Sequence, residues 1–188
     1  MTNNYTSNQS EQFKDKTIIV TGSTQGSGAE TAKLLASRGA RGITICGRNE
    51  NKGNKVRDEI LKIGSECIYV KADLENLNDC KKIISETDKK FKTIDSFINV
   101  AAFTERGTIL STTEENYDKN FNVNVKAPLF MMQDVIKIMI RDKKKGTIAH
   151  ILSMAAYSGM PFLTAYSASK AALAIMIKNV ANSVSGHQ

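Results

Sequence analysis

The chain has 188 residues, 26 basic side chains against 19 acidic ones and a formal net charge of +7, which suits one domain with a substantial core and excludes a disordered, collagen-like or disulfide-scaffold polypeptide. Cys46, Cys67 and Cys80 are odd in number and lack metal-like spacing, and only His150 and His187 could join them as histidine ligands. This argues against a metal site and for a reduced, cytoplasmic chain.

In chain order, "MTNNYTSNQSEQ" (1–12) is polar, has no apolar signal-peptide core and is expected to be a disordered tail ahead of a domain over 13–188. "KTIIV" (16–20) predicts a first strand. The glycine-rich turn "TGSTQGSG" (21–28) and a helix over 28–38 follow it. The pattern repeats with "GITIC" (42–46) and a helix over 51–63, then "CIYVKA" (67–72) and a helix over 77–91, then "IDSFINVAA" (94–102) and one long helix over 113–140. "GTIAHILS" (146–153) predicts a fifth strand, and an Ala-rich helix over 165–184 closes the series. Strands apolar on both faces, alternating with amphipathic helices, predict an α/β fold: a doubly wound parallel sheet of the Rossmann-like kind. Lysine clusters at 81–82, 89–90 and 141–146 fall on helix faces or ends without aromatic interleaving, so nucleic acid is not an expected partner. No stretch approaches the ~18 apolar residues of a membrane span, so a membrane is not expected either.

In such a sheet ligands lie outside the carboxyl ends of the strands. The turn after strand one therefore carries the first functional reading: glycines let the backbone turn sharply and be approached closely, and the following helix start offers unpaired N–H groups to a pyrophosphate. The alternative is a tight turn with no ligand. Tyr166 and Lys170 in "YSASK" stand four residues apart on one predicted helix face. A phenol is ordinarily a weak base at neutral pH, and a neighbouring ammonium favours its anion, which suits it to general acid/base work. Ser153, thirteen residues before Tyr166, ends the fifth strand, where its hydroxyl could donate to the same substrate oxygen. Equally, Tyr166 and Lys170 could be an ordinary amphipathic pair and Ser153 a helix cap.

Together these motifs resemble the short-chain dehydrogenase/reductase family in its compact form, from about Phe13 to the end of the chain. Thr21, Gly22, Gly26 and Gly28 match its TGxxxGxG turn. "NVAA" (99–102) matches its NNAG element loosely, and Asn124, Ser153, Tyr166 and Lys170 match its tetrad. The resemblance implies hydride transfer between a nicotinamide and a carbonyl/alcohol pair, with a small-molecule carbonyl or alcohol as substrate. It implies Tyr166 as acid/base, Ser153 orienting the substrate, Lys170 on the nicotinamide ribose and Asn124 supporting a water-linked proton path. Gly22, Ser23, Thr24, Gln25, Gly26, Ser27 and Gly28 would form the pyrophosphate turn, with Asp73, Leu74, Asn99 and Ala101 elsewhere on the cofactor and Tyr166 and Lys170 at its nicotinamide end.

Gly47 stands where NAD-type relatives carry an acid, and Arg48 follows it, which implies NADP, with NAD possible. Arg48 could instead be a solvated loop arginine, and Asp73 could cap a turn rather than meet adenine. Gln25 is neutral where many NADP-type relatives carry a second basic residue. Ser27, Val100 and Ala102 depart from the family pattern. His150 reads as a packed strand residue, and Met154, Met160 and Phe162 as substrate wall or core. The family continues past the Tyr-Lys helix, so strands six and seven are expected to be absent. The competing functional reading is accordingly a catalytically weak or inactive dinucleotide-binding or interaction protein. A homo-oligomer through the long helices is expected.

Overall fold

A computed structural model describes residues 11–187. Five parallel strands, β1 (Thr17–Thr21), β2 (Gly42–Gly47), β3 (Glu66–Lys71), β4 (Ser96–Asn99) and β5 (Thr147–His150), form one sheet in the order β3-β2-β1-β4-β5. The helices are α1 (Gly26–Ser37), α2 (Glu50–Ile63), α3 (Leu77–Phe91), α4 (Glu114–Phe121), α5 (Ala127–Arg141) and α6 (Thr164–Ser183). The expected doubly wound sheet is present, and no strand follows α6 among the described residues.

Strand β1 lies at the centre and is buried along its whole length. Its register, Ile18 beside Ile43 and Ser96, and Val20 beside Ile45 and Ile98, sends alternate side chains into two cores, as the period of two requires. Ile18, Val20, Ile43 and Ile45 pack with Ala32, Leu35, Val56 and Ile60 of α1 and α2. Ile19 and Phe97 pack on the other face with Ile83, Met131 and Val135 of α3 and α5, joined by Met176 and Val180 of α6. Each such fully buried aliphatic side chain contributes about 1.5–3 kcal/mol. The polar ends of β1 are satisfied: Thr17 N donates to Asp95 Oδ2 at 2.8 Å, and Thr21 Oγ1 to Asn99 Oδ1 at 2.6 Å. Cys46, Cys67 and Cys80 are buried free thiols, pushed up to about 12, 12 and 11 chiefly by burial.

The single helix expected over 113–140 is a departure. Between α4 and α5 the backbone widens into a π-turn over Asn122–Lys126, in which Ala127 N donates to Asn122 O. Pro128 is the cause: it has no N–H for the carbonyl at position 124, and its ring crowds that carbonyl. Two strands are also shorter than expected, β4 at 96–99 and β5 at 147–150, because the chain leaves the sheet where the site begins. Of the expected tail, residues 1–10 lie outside the described residues. Glu11 pairs with Lys14 at 2.9 Å, and Gln12 Oε1 accepts from Arg38 Nη1 at 3.0 Å.

Candidate active site

At the carboxyl ends of β1, β2 and β4 a cleft of about 400 Å³ opens over the first turn of α1. Gly22 and Gly26 hold positive φ angles of 62° and 57°, a conformation that side chains with a Cβ disfavour. A Cβ on Gly22 would stand 2.8 Å from Ala101 Cα, and one on Gly28 would collide with the Gly22 carbonyl. At Gly26 nothing lies within 4 Å. The glycines thus have separate duties: two allow the turn to pack, and one keeps the cleft side open.

The start of α1 has neither a side-chain cap nor an acidic residue in its first turn. Its free N–H groups and positive dipole end therefore face the cleft unanswered by any described residue. Thr24, Gln25, Gly26, Ser27 and Gly28 line this end, as do Arg48, Asp73, Leu74 and Ala101. This donor set fits the pyrophosphate of a dinucleotide.

Two expected cofactor residues lie off the cleft lining and make contacts within the fold. Ser23 is fully buried and does not line the cleft: its amide donates to Cys46 O, its hydroxyl donates to Val20 O, and it accepts from Cys46 N at 3.0 Å. It pins the turn to β2. Asn99, also buried and off the cleft lining, accepts from Thr21 through Oδ1, while its carbonyl accepts from Ile151 N. Its Nδ2 has no partner among the described residues. Arg48 is 68% exposed and sits 4.0 Å from Asp73 Oδ2. Asp73 also caps its own turn by accepting from Glu75 N at 3.1 Å, so the turn-capping alternative is realised alongside its place in the cleft.

The four tetrad residues lie outside this cleft's lining, on the π-turn, just beyond β5 and on α6. On α6, Lys170 Nζ lies 6.0 Å from the centroid of the half-buried Tyr166 ring. Lys170 is only 1% exposed and donates to Ile151 O at 2.8 Å. Burial holds its ammonium below the usual lysine range. Ser153 accepts from Ala155 N at 3.2 Å and so does cap the short 3₁₀ turn Met154–Ala156. The hydroxyl hydrogen remains available to donate, so capping and substrate orientation are compatible.

Asn124 is fully buried in the π-turn. Its Oδ1 accepts from Phe103 N and its Nδ2 donates to Phe103 O, both at 2.8 Å, and to Ser169 Oγ at 2.9 Å. These contacts engage both Nδ2 hydrogens and one lone pair of Oδ1. The side chain locks the segment after β4 to α6.

His150 packs as expected, edge-on to Phe97 at 5.9 Å with Nε2 3.1 Å from Met132 Sδ. Burial, aided by the positive Lys170, lowers it to about 4. Met154 (79%), Phe162 (59%) and Met160 (46%) are exposed, so the core alternative is excluded for them. Sequence reasoning missed Lys119, which lines the cleft, pairs with Glu75 at 3.5 Å and lies 4.9 Å from the Phe103 ring. Its position five residues before Asn124, on the helix feeding the π-turn, was the available signal.

Residues 16–188 match the sequence pattern of the family described as short chain dehydrogenase. The chain is 31% identical to an uncharacterized oxidoreductase of Thermotoga maritima over 90% of this chain and 66% of that one. It is 31% identical to a galactitol 2-dehydrogenase of Agrobacterium fabrum over 86% and 62%. A crystal structure of a metagenomic short-chain oxidoreductase in complex with NADP superposes with a TM-score of 0.87 at 27% identity, covering 93% of this chain and 79% of that one. The chain thus spans about three fifths of the length of the curated relatives it matches. With the sheet order, the glycine turn and the Tyr166–Lys170 face in place, the match over residues 16–188 shows that the chain belongs to the short-chain dehydrogenase family.

Proposed function

We propose that the protein is an oxidoreductase that uses NADP(H), with NAD(H) as a weaker alternative, to interconvert a carbonyl and an alcohol. Lys170 carries this reading: a buried ammonium beside a tyrosine, with a carbonyl oxygen and, among the described residues, no carboxylate as its partner, is costly for a fold and useful for proton transfer. When bound, the nicotinamide supplies the hydride chemistry. Tyr166 Oη gives a proton to the substrate oxygen in reduction and takes it back in oxidation. The free hydroxyl hydrogen of Ser153 donates to the same oxygen and steadies the charge that develops there. Lys170 spends one of its donors on Ile151 O, and its remaining donors serve the ribose and the tyrosine. Arg48, on the cleft rim, would hold the 2′-phosphate.

A second reading, dinucleotide binding with little turnover, is favoured by the exposure of Met154, Tyr157 and Phe162 near the tetrad. An open wall leaves water at the reacting atoms and weakens preorganised electrostatics. Both readings are tested by assaying the 188-residue protein with NADPH and a panel of ketones and aldehydes. Turnover abolished by Tyr166→Phe with cofactor affinity kept supports the first. Tight NADPH binding without turnover supports the second, and no dinucleotide binding at all overturns both.

A further inference from the structure

Gln25 stands at the N-cap position of α1 yet gives that helix no side-chain hydrogen bond. Its amide oxygen accepts instead from Lys52 Nζ at 2.6 Å. Lys52 lies in the first turn of α2, where its own N–H donates to the Asn49 cap at 3.0 Å. One end of the lysine is thereby fixed by the cap and the other by Gln25. A long side chain held at its tip has already given up much of the rotamer freedom that ligand binding would otherwise cost.

The partner matters chemically. A carboxylate at position 25 would neutralise the ammonium, whereas an amide leaves its charge whole, and Lys52 has no acidic partner among the described residues. Arg48, on the same rim of the cleft as Gln25, is in a different state: its guanidinium lies 4.0 Å from Asp73 Oδ2 and shares its charge with that carboxylate. Arg48 and Lys119 line the cleft and each has a carboxylate neighbour, whereas Lys52, held at 2.6 Å by the lining residue Gln25, has none among the described residues.

We propose that Lys52, presented to the cleft by Gln25, is a specificity-determining residue that supplies the uncompensated charge for the 2′-phosphate of an adenine dinucleotide. This rests on the cofactor reading above and adds to it a residue from a different element. The cation that the glycine turn lacks at Gln25 is delivered to the same place from α2.

The test is fluorescence titration of the 188-residue protein with NADPH and with NADH, circular dichroism confirming the fold of each variant. Lys52→Met is expected to weaken NADPH binding roughly tenfold or more, the scale of one lost charge-assisted contact, and to leave NADH within about twofold, since NADH has no 2′-phosphate. Gln25→Glu keeps the lysine and its tether but neutralises it, and is expected to lower the NADPH to NADH affinity ratio as well. Lys52→Arg should retain the ratio. A wild-type protein that binds both cofactors equally would overturn the NADP(H) reading itself. If the wild type prefers NADPH, and Lys52→Met and Gln25→Glu keep that preference while Arg48→Ala loses it, the inference about Lys52 fails and the cofactor reading stands.

Discussion

Lys170 shows at the scale of one residue how function and stability oppose each other. Its ammonium is almost fully buried, and among the described residues a single backbone carbonyl is its hydrogen-bond partner. Burial lowers its pKa in the folded state, so between that value and the ordinary lysine range the unfolded chain binds more protons. The penalty is therefore greatest at neutral pH and is relieved as pH rises through that window. Lys170→Met, of similar volume and uncharged, should stabilise the protein by about 1–3 kcal/mol at pH 7 and by less at pH 10, while abolishing any turnover. Urea denaturation at the two pH values measures the difference. A variant less stable than wild type at pH 7 would show that the carbonyl contact outweighs desolvation. Ser153 is the gentler case, because capping engages its lone pair and leaves its proton free.

At the scale of elements, the site depends on where regular structure stops. The π-turn at Asn122–Lys126 rotates Asn124 inward, and its amide clamps the Phe103 backbone after β4 to Ser169 on α6. Strand β5 contributes a second clamp through His150, wedged between Phe97 and Met132. The imidazole is lowered to about 4 by burial and by Lys170, so it is neutral when folded near neutral pH. Its contribution is fully present above the ordinary histidine range near 6.5 and is lost as pH falls toward about 4. Replacing it by an apolar residue should remove that sensitivity: His150→Leu should lose less stability than wild type between pH 7 and pH 5. Denaturant midpoints at both values check this, and parallel losses in the two proteins would sink it.

For the whole molecule, the open feature is the outer side of β5. A cleft of about 600 Å³ between α5, β5 and α6 is lined by Met139, Ile148, Ile177 and Val180 and rimmed by Lys144, Lys145 and Lys178. β5 is an edge of the sheet, and Ile151, just beyond it, is 54% exposed. Unpaired edge groups beside apolar surface favour association. Sedimentation velocity of the 188-residue protein should show self-association that rises with concentration and is reduced by Ile151→Lys, a charge at the edge. Association unchanged by that substitution would point to the long helices, where α3 and α5 are joined by the paired Asp88–Arg141 contacts at 2.7 and 2.8 Å. The oligomer would then use a helical face.

By itself the sequence determined what depends on local pattern. Apolar runs such as "TIIV" and the helical spacing of 77–91 specify their elements because burial on both sheet faces and on one helix face leaves few alternatives. The glycine turn and the Tyr166–Lys170 spacing were legible for the same reason, since a positive φ and an i, i+4 neighbour are short-range facts. Tertiary structure alone decided which polar groups remain free. Ser23 and Asn124 spend their side chains on backbone partners far away in sequence or in other elements, whereas Ser153 keeps a donor and Gln25 acquires a lysine from another helix. A hydrogen-bonding group has a small fixed capacity, and what fills it is settled by neighbours that only folding brings within 3 Å or so.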